Sequence, residues 1–221
     1  MIEFPFLEIF QWAIFLSDQS EPILPFFTPV VNYSVCNIGD KIAYIDAAQA
    51  DPLPRNVLLG IGYEGGIMKK SNGLDWKIIS IKWAVEMEDL LVHRNNDGTW
   101  KYRTGLADIH PFDNLIRGRG NNSAIRHKGY EINLFDFVTF RKGSYEDMEG
   151  QVSYQTEGIG FSLSGVLKVL QFSMLRTSTP GFIGFLTKHL DIQYHESSWD
   201  FGIYWHPLYG TRFKGMTIMI K

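Results

Sequence analysis

The feature that most constrains the fold of this 221-residue chain is a strict alternation of residue types between positions 79 and 87. Large apolar side chains, Ile79, Ile81, Trp83, Val85 and Met87, alternate there with small or polar ones. Successive side chains of an extended chain point to opposite faces, so a period of two predicts a half-buried β-strand.

A second strong signal follows directly along the chain. The runs 91–94 and 99–103 flank residues 95–98, which end in Asp97-Gly98. An Asp-Gly pair between two such runs is typical of a β-hairpin, because glycine adopts positive φ at no steric cost. The sequence therefore predicts antiparallel strands from residue 79 to residue 103.

Further strands are predicted at residues 41–45, 130–142, 151–157, 191–195, 199–206 and 216–220. Within 130–142 the apolar alternation is interrupted by Asp136. A β-bulge at Asp136 is the favoured explanation, and a carboxylate that points inward is the alternative. Residues 21–29 contain three prolines, which predict extended chain because proline disfavours helix in the residue before it.

Helices are predicted near the N-terminus and in the C-terminal third. Residues 7–16 fit a short buried helix, residues 162–175 an amphipathic one, and Thr179-Pro180 is a favourable start for another that ends near Leu190. No internal repeat and no charged linker divides the chain. The sequence therefore predicts one α+β domain over residues 1–221, built on a mostly antiparallel sheet.

Composition excludes several classes of protein. The chain is 45% hydrophobic and 20% charged, which excludes a disordered protein. Its net charge of −3 excludes a generally basic nucleic-acid coat. A single cysteine, Cys36, excludes an intramolecular disulfide framework and a multi-cysteine zinc site.

The N-terminal residues do not resemble a secretory signal. Glu3 stands where such a signal carries a basic residue, and the apolar run 10–16 is too short to span a bilayer. We therefore expect a cytoplasmic protein without a transmembrane segment, and the lone cysteine agrees with a reducing compartment.

The first candidate site is a basic segment at residues 117–128, within a long polar loop that we expect over residues 104–129. It carries Arg117, Arg119, Arg126 and Lys128 among glycines and asparagines, with no acidic residue. Arginine suits phosphate or carboxylate, and glycines let backbone N–H groups approach an anion. The plainer interpretation is a solvated loop whose arginines pair with nearby acids such as Asp113.

Two His–Asp pairs are candidates for catalysis. If Ser197-Ser198 formed a two-residue hairpin turn, His195 would lie across from Asp200, and a carboxylate beside an imidazole supports a general base. Asp108 and His110 form the second pair, which could also bind a metal if His93 or His127 joined it. Their plainer roles are a surface pair and turn residues, respectively.

Residues 158–190 contain no acidic side chain and several basic ones. Such a segment can lie on an anionic membrane, although two helices packed on a sheet have the same composition.

Three functions follow from these features, in order of preference. The first is a non-catalytic recognition protein that binds an anionic ligand, nucleic acid or an acidic protein through residues 117–128. The second is a hydrolase or transferase that uses one of the His–Asp pairs, and the third is a membrane-active protein that uses residues 158–190. No cofactor or metal motif is found, and the sequence leaves open whether the protein is an enzyme.

Overall fold

The computed structural model of the chain describes residues 23–39, 53–71, 74–95, 97, 99–119, 123–173, 182–201 and 209–220. Its long strands are β1 (Ile23–Cys36), β2 (Asn56–Ser71), β3 (Leu74–Leu90), β6 (Ile125–Leu134), β7 (Val138–Asp147), β8 (Val152–Ser162), β9 (Leu190–Asp200) and β10 (Arg212–Ile220). These eight strands form one sheet in the order β1-β2-β3-β6-β7-β8-β9-β10. All neighbours are antiparallel, so each long strand pairs with the long strands that precede and follow it in sequence.

The shorter elements lie in two connections. Between β3 and β6 come β4 (Val92–Arg94), β5 (Trp100–Tyr102) and a π-helical turn (Phe112–Ile116). Between β8 and β9 come helices α1 (Leu163–Ser173) and α2 (Phe182–His189). The prediction of a mostly antiparallel sheet with a few helices is therefore confirmed at this level, and both C-terminal helices are present. The predicted N-terminal helix and the strand at 41–45 lie outside the described residues.

The strongest sequence signals are confirmed. Residues 79–87 lie inside β3, and β4 pairs with β5 so that His93 lies opposite Lys101. The Asn95 N–H donates to the Thr99 carbonyl at 2.8 Å, which closes the predicted hairpin.

The register sorts the side chains onto two chemically different faces. On one face Glu64, Lys82, Glu131 and Arg141 follow one another across β2, β3, β6 and β7. On the other face Ile81, Ile132, Phe140 and Ile159 follow one another across β3, β6, β7 and β8. The first face is polar and the second apolar, because the alternation of each strand is kept in register with that of its neighbours.

Glycines are concentrated on the polar face of the sheet. Glycines 60, 62, 66, 129, 143, 158 and 160 all lie on that face by register. A Cβ built on Gly62 would lie 2.6 Å from the Trp83 carbonyl oxygen, and one built on Gly143 would lie 2.8 Å from the Thr156 hydroxyl. At these two positions the neighbouring strand lies too close for a side chain, so glycine permits the close approach. The two cavities described below lie on the polar side, which we call the concave face, and we call the apolar side the convex face.

The buried core lies at one end of the convex face, beneath the connection between β3 and β6. Val57, Val85 and Met87 of the sheet pack there against side chains of the connection: Leu91, Ile109, Leu115 and Ala124. The buried Asp89 fastens the connection, because its carboxylate accepts the Asp108 N–H at 2.8 Å. Burial raises the pKa of Asp89 above its usual value.

Asp136 does not form the β-bulge that we favoured. The predicted strand 130–142 is a hairpin, with β6 and β7 joined by a turn at residues 135–137, and Asp136 has φ 54° within that turn. The apolar residues still share the convex face, because the hairpin pairs Ile132 with Phe140 and Leu134 with Val138.

The predicted turn at Ser197-Ser198 is also wrong. Residues 190–200 form the continuous strand β9, with β8 on one side and β10 on the other. A two-residue turn in the middle of this segment would interrupt both ladders. The extended chain predicted for 21–29 continues as β1, whose Pro25 and Pro29 are tolerated because β1 lies at the edge of the sheet.

Candidate functional site

The concave face holds a polar cavity of about 320 Å³ beside helix α1. Strands β3, β6, β7, β8 and β9 form its floor, and α1 contributes Lys168 to its wall. Its charged and hydrogen-bonding residues include Lys82, Glu131, Asp136, Arg141, Ser162, Lys168, Asp191 and His195.

The centre of the cavity is one carboxylate shared by two cations. Glu131 Oε1 accepts Lys82 Nζ at 2.8 Å, and Glu131 Oε2 accepts Arg141 Nε at 2.6 Å. Burial by itself raises the pKa of Glu131, but the hydrogen bonds and charges of Lys82 and Arg141 outweigh burial and lower the pKa overall. The carboxylate is therefore ionised at neutral pH, and the three side chains together carry one net positive charge.

Helix α1 is attached to the cavity by a second ion pair. Lys168 Nζ lies 2.7 Å from Asp136 Oδ2, which also accepts the Lys77 N–H at 3.1 Å. Asp136 thus points toward the helix from its place in the β6–β7 turn. Gly165 lies against the backbone of the same turn, where a Cβ would overlap the Asp136 carbonyl. The helix is in this way held over the concave face.

Asp191 holds the N-terminus of α1. Its Oδ1 accepts the Ser162 hydroxyl at 2.8 Å and the Ser164 N–H at 3.4 Å, and its Oδ2 accepts Gln193 Nε2 at 2.7 Å. Burial raises the pKa of this carboxyl, but the hydrogen bonds from Gln193, Ser162 and Ser164 lower it overall. An anion at a helix N-terminus also interacts favourably with the helix dipole. Asp191 and Ser162 therefore act as the cap of α1.

His195 lines the cavity without its predicted partner. It lies opposite Gly160 of β8 and Gly215 of β10, and a Cβ on Gly215 would overlap the imidazole ring. Asp200 is five residues further along the same strand, opposite Gln155. An odd separation places the two side chains on opposite faces, so the proposed His195–Asp200 pair is wrong.

The second His–Asp pair is not brought together either. His110 is exposed, and its backbone N–H donates to Asn114 Oδ1 at 2.6 Å. Asp108 Oδ2 instead pairs with Arg103 at 2.6 Å. Across the described ranges no three His, Cys, Asp or Glu side chains come close enough to hold a metal ion.

Two arginines of the basic segment 117–128 form ion pairs, and the last residues of the segment belong to a strand. Arg117 pairs with Asp113 at 3.1 Å, as the plainer interpretation expected, and Arg126 pairs with Glu146. Residues 125–128 belong to β6, so the predicted loop ends earlier than expected. Arg119 and Lys128 are exposed, and no carboxylate of the described residues pairs with them.

A second, apolar hollow of about 280 Å³ adjoins the polar cavity over β1, β2 and β3. Val30, Gly60, Gly62 and Ala84 line it together with Glu64 and Glu86, and Lys82 lines both spaces. The concave face thus offers a charged compartment and an apolar one side by side.

Sequence reasoning missed Lys82, Glu131 and Arg141. Each occupies a polar position in an alternating strand and looks like an ordinary solvent-facing residue. The one available signal is that the polar faces of three neighbouring strands carry charges of opposite sign. This signal has a meaning only once the pairing of β3 with β6 and of β6 with β7 is known.

No protein family, curated protein or solved structure matches this chain. Within the described residues, no helix is both long and apolar enough to cross a membrane.

Proposed function

We propose that this protein is a non-catalytic binding protein whose concave face holds a small anionic molecule. The observation that carries the proposal is the sharing of Glu131 by Lys82 and Arg141, which gives these three side chains one net positive charge. The other carboxylates of the cavity are already engaged, Asp136 with Lys168 and Asp191 at the N-terminus of α1. The class of ligand is the one that the sequence favoured, but the site is different from residues 117–128.

Arg141 is well suited to receive the anion. Its Nε is bound to Glu131, which fixes the plane of the guanidinium and leaves both terminal nitrogens to meet a carboxylate or phosphate. Lys82 adds a second cation on the same row of the sheet. Because Glu131 already orients both cations, little side-chain entropy is lost on binding.

The neighbouring hollow narrows the class of ligand. Lys82 stands where the polar cavity meets the apolar one, so a molecule bound at Lys82 could place an apolar part over Gly60 and Gly62. The cavity volumes of about 320 and 280 Å³ suit a small ligand. We therefore propose an anion with a short apolar tail, such as a medium-chain carboxylate.

The catalytic alternative gains no support from the two His–Asp pairs, because His195 and Asp200 lie on opposite faces of β9 and Asp108 pairs with Arg103. Residues 117–128 stay a second candidate for anion binding, for nucleic acid or an acidic protein as well as for a small molecule. The specific observation in their favour is the exposure of Arg119 and Lys128.

We also propose a cytoplasmic location, which cell fractionation would check, because Cys36 is an exposed free thiol.

A titration with octanoate tests the two sites against each other. We expect the double variant Lys82→Gln with Arg141→Gln to weaken octanoate binding about tenfold or more, since two charge-assisted hydrogen bonds are lost. The matched control removes two cations elsewhere, Arg119→Ala with Lys128→Ala, and should bind as the wild type does. Isothermal titration calorimetry measures both affinities.

The opposite pattern, with weakened binding only in the Arg119 and Lys128 variant, would transfer the site to residues 117–128. Equal affinity of all three proteins, or no binding of octanoate by the wild type, would reject the concave-face site. Lys82 and Arg141 are each about half exposed, so their replacement is not expected to prevent folding.

A further inference from the structure

The convex face carries a broad band of exposed apolar side chains. The band includes Phe27 at 67% exposure, Ile81 at 45%, Phe140 at 44%, Phe161 at 38%, Tyr194 at 37%, Met216 at 68% and Ile218 at 57%. These residues span the sheet from β1 to β10, roughly 34 Å at a strand spacing of about 4.8 Å. An exposed apolar surface of this extent is unusual for a protein that contacts only water.

The band runs obliquely across the strands. On β2 and β3 it reaches Tyr63 and Trp83, whereas on β10 it is displaced toward the other end and comprises Met216, Ile218 and Ile220. If the strands are tilted relative to a flat layer, a band that runs obliquely across them can face that layer along its whole length. The apolar surface is therefore a stripe across the sheet and not a scattered set of side chains.

One border of the band has a characteristic order of side chains. Beyond Ile81 and Ile132 comes a row with Tyr63, Trp83 and Tyr130 on three successive strands. The same row continues on β7 and β8 with Lys142 and Glu157, which pair at 2.6 Å. Aromatic residues followed by charged ones are the order found where proteins leave the hydrocarbon of a lipid layer and enter its headgroups.

The charges at the border of the band favour a lipid layer as its occupant. The border carries both signs of charge, as Lys142 with Glu157 and Lys214 with Glu196 show, which suits zwitterionic headgroups.

We propose that the convex face contacts the acyl chains of a lipid layer, with Tyr63, Trp83 and Tyr130 at the level of the headgroups. This surface is on the opposite side of the sheet from the anion site, so either assignment can fail without the other. It also differs from residues 158–190, where the sequence placed membrane contact.

Co-sedimentation with phosphatidylcholine vesicles tests the proposal. The variant Phe140→Asp puts a charge in the middle of the band, and we expect vesicle partitioning to fall about tenfold or more. The matched control is Phe185→Asp on α2, which is also a well exposed phenylalanine, at 59%, and lies within residues 158–190. This control should partition as the wild type does, and high salt should leave the partitioning of both proteins nearly unchanged.

Three outcomes would overturn the proposal. The wild type could fail to sediment with the vesicles, or Phe185→Asp could abolish partitioning while Phe140→Asp leaves it intact. A concentration-dependent dimer that Phe140→Asp dissociates, without vesicle binding, would assign the face to a second copy. Both substituted side chains are exposed, and circular dichroism verifies that each variant is folded.

The depth of Trp83 provides a second measurement. Phosphatidylcholine brominated on its acyl chains should quench part of the tryptophan fluorescence of the bound protein. Trp83→Phe should remove most of the quenched fraction, because among the tryptophans of the described residues Trp83 is the one that borders the band. Quenching that is unchanged in Trp83→Phe would contradict the proposed orientation.

Discussion

Glu131 is the residue that joins the candidate site to the stability of the sheet. It lies on β6 and binds Lys82 of β3 and Arg141 of β7, so one carboxylate connects three strands. Its side chain is only 17% exposed, whereas both cations are about half exposed. The pairs are therefore partly screened by water, and we expect a modest contribution to stability.

We expect Glu131→Gln to lower the free energy of unfolding by about 1 kcal/mol at pH 7. The pKa of Glu131 is lowered in the folded state, so its stabilising effect is present above the unfolded pKa of about 4.3 and is lost as pH falls through the folded pKa. The difference between wild type and variant should thus begin to shrink as pH falls below the unfolded pKa and should vanish only below the lower folded pKa. Urea denaturation at several pH values measures it.

The control for this prediction is Glu157→Gln. Glu157 also binds a cation, Lys142, but its side chain is 60% exposed, so we expect a much smaller effect. An equal loss in the two variants, or a Glu131→Gln effect that persists in acid, would contradict the ion-pair explanation.

At the scale of elements, the close approach of β3 to β2 depends on where glycine is present. Gly62, Ala84, Gly129 and Gly143 form one row of small residues across the concave face. The room for a side chain differs along this row: a Cβ on Gly62 would meet the Trp83 carbonyl at 2.6 Å, but a Cβ on Gly129 would find its nearest neighbour at 3.7 Å. Position 62 therefore admits a side chain only if the backbone moves, whereas position 129 has room for one.

This difference predicts the outcome of two identical substitutions. Gly62→Ala should destabilise the protein by about 1–3 kcal/mol, because backbone atoms must move to admit the methyl group. Gly129→Ala meets ordinary van der Waals distances and should be tolerated or slightly stabilising. Thermal unfolding of both variants provides the comparison, and equal melting temperatures would show that the close approach of β3 to β2 does not depend on Gly62.

At the scale of the whole molecule, one sheet contains all the long strands of the described residues, and the described parts of the β3–β6 and β8–β9 connections pack onto it. The β3–β6 connection contributes to the core through Leu91, Ile109 and Leu115. Helix α1 is fastened to β9 through Asp191 and to the β6–β7 turn through Lys168. We therefore propose that residues 1–221 fold as one domain.

A single domain predicts one cooperative unfolding transition. Differential scanning calorimetry should give a calorimetric enthalpy equal to the van't Hoff enthalpy, because the long strands of the described residues form one continuous hydrogen-bonded sheet. Two resolved transitions, or a calorimetric enthalpy well above the van't Hoff value, would divide the chain into more than one unit.

Local pattern determined the elements of this protein. The alternation at residues 79–87, the Asp97-Gly98 pair and the helical spacing near residues 162–175 predicted β3, the β4–β5 hairpin and α1, because each is specified by interactions between near neighbours. Errors arose where a pattern was ambiguous over a few residues. A three-residue turn around Asp136 preserves the period of two, and the Ser197-Ser198 pair does not terminate a strand that is paired on both sides.

The site residues are brought together by the pairing of strands, which belongs to the tertiary structure and is not encoded in any one segment. Lys82, Glu131 and Arg141 are 49 and 10 residues apart along the chain, yet they bind one another because β3, β6 and β7 are adjacent. His195 and Asp200 are close in sequence but lie on opposite faces of β9. The local sequence specifies which residues alternate along a strand. Only the pairing register specifies which residues of neighbouring strands lie on the same face, because every strand has two faces and its sequence does not say which neighbours they meet.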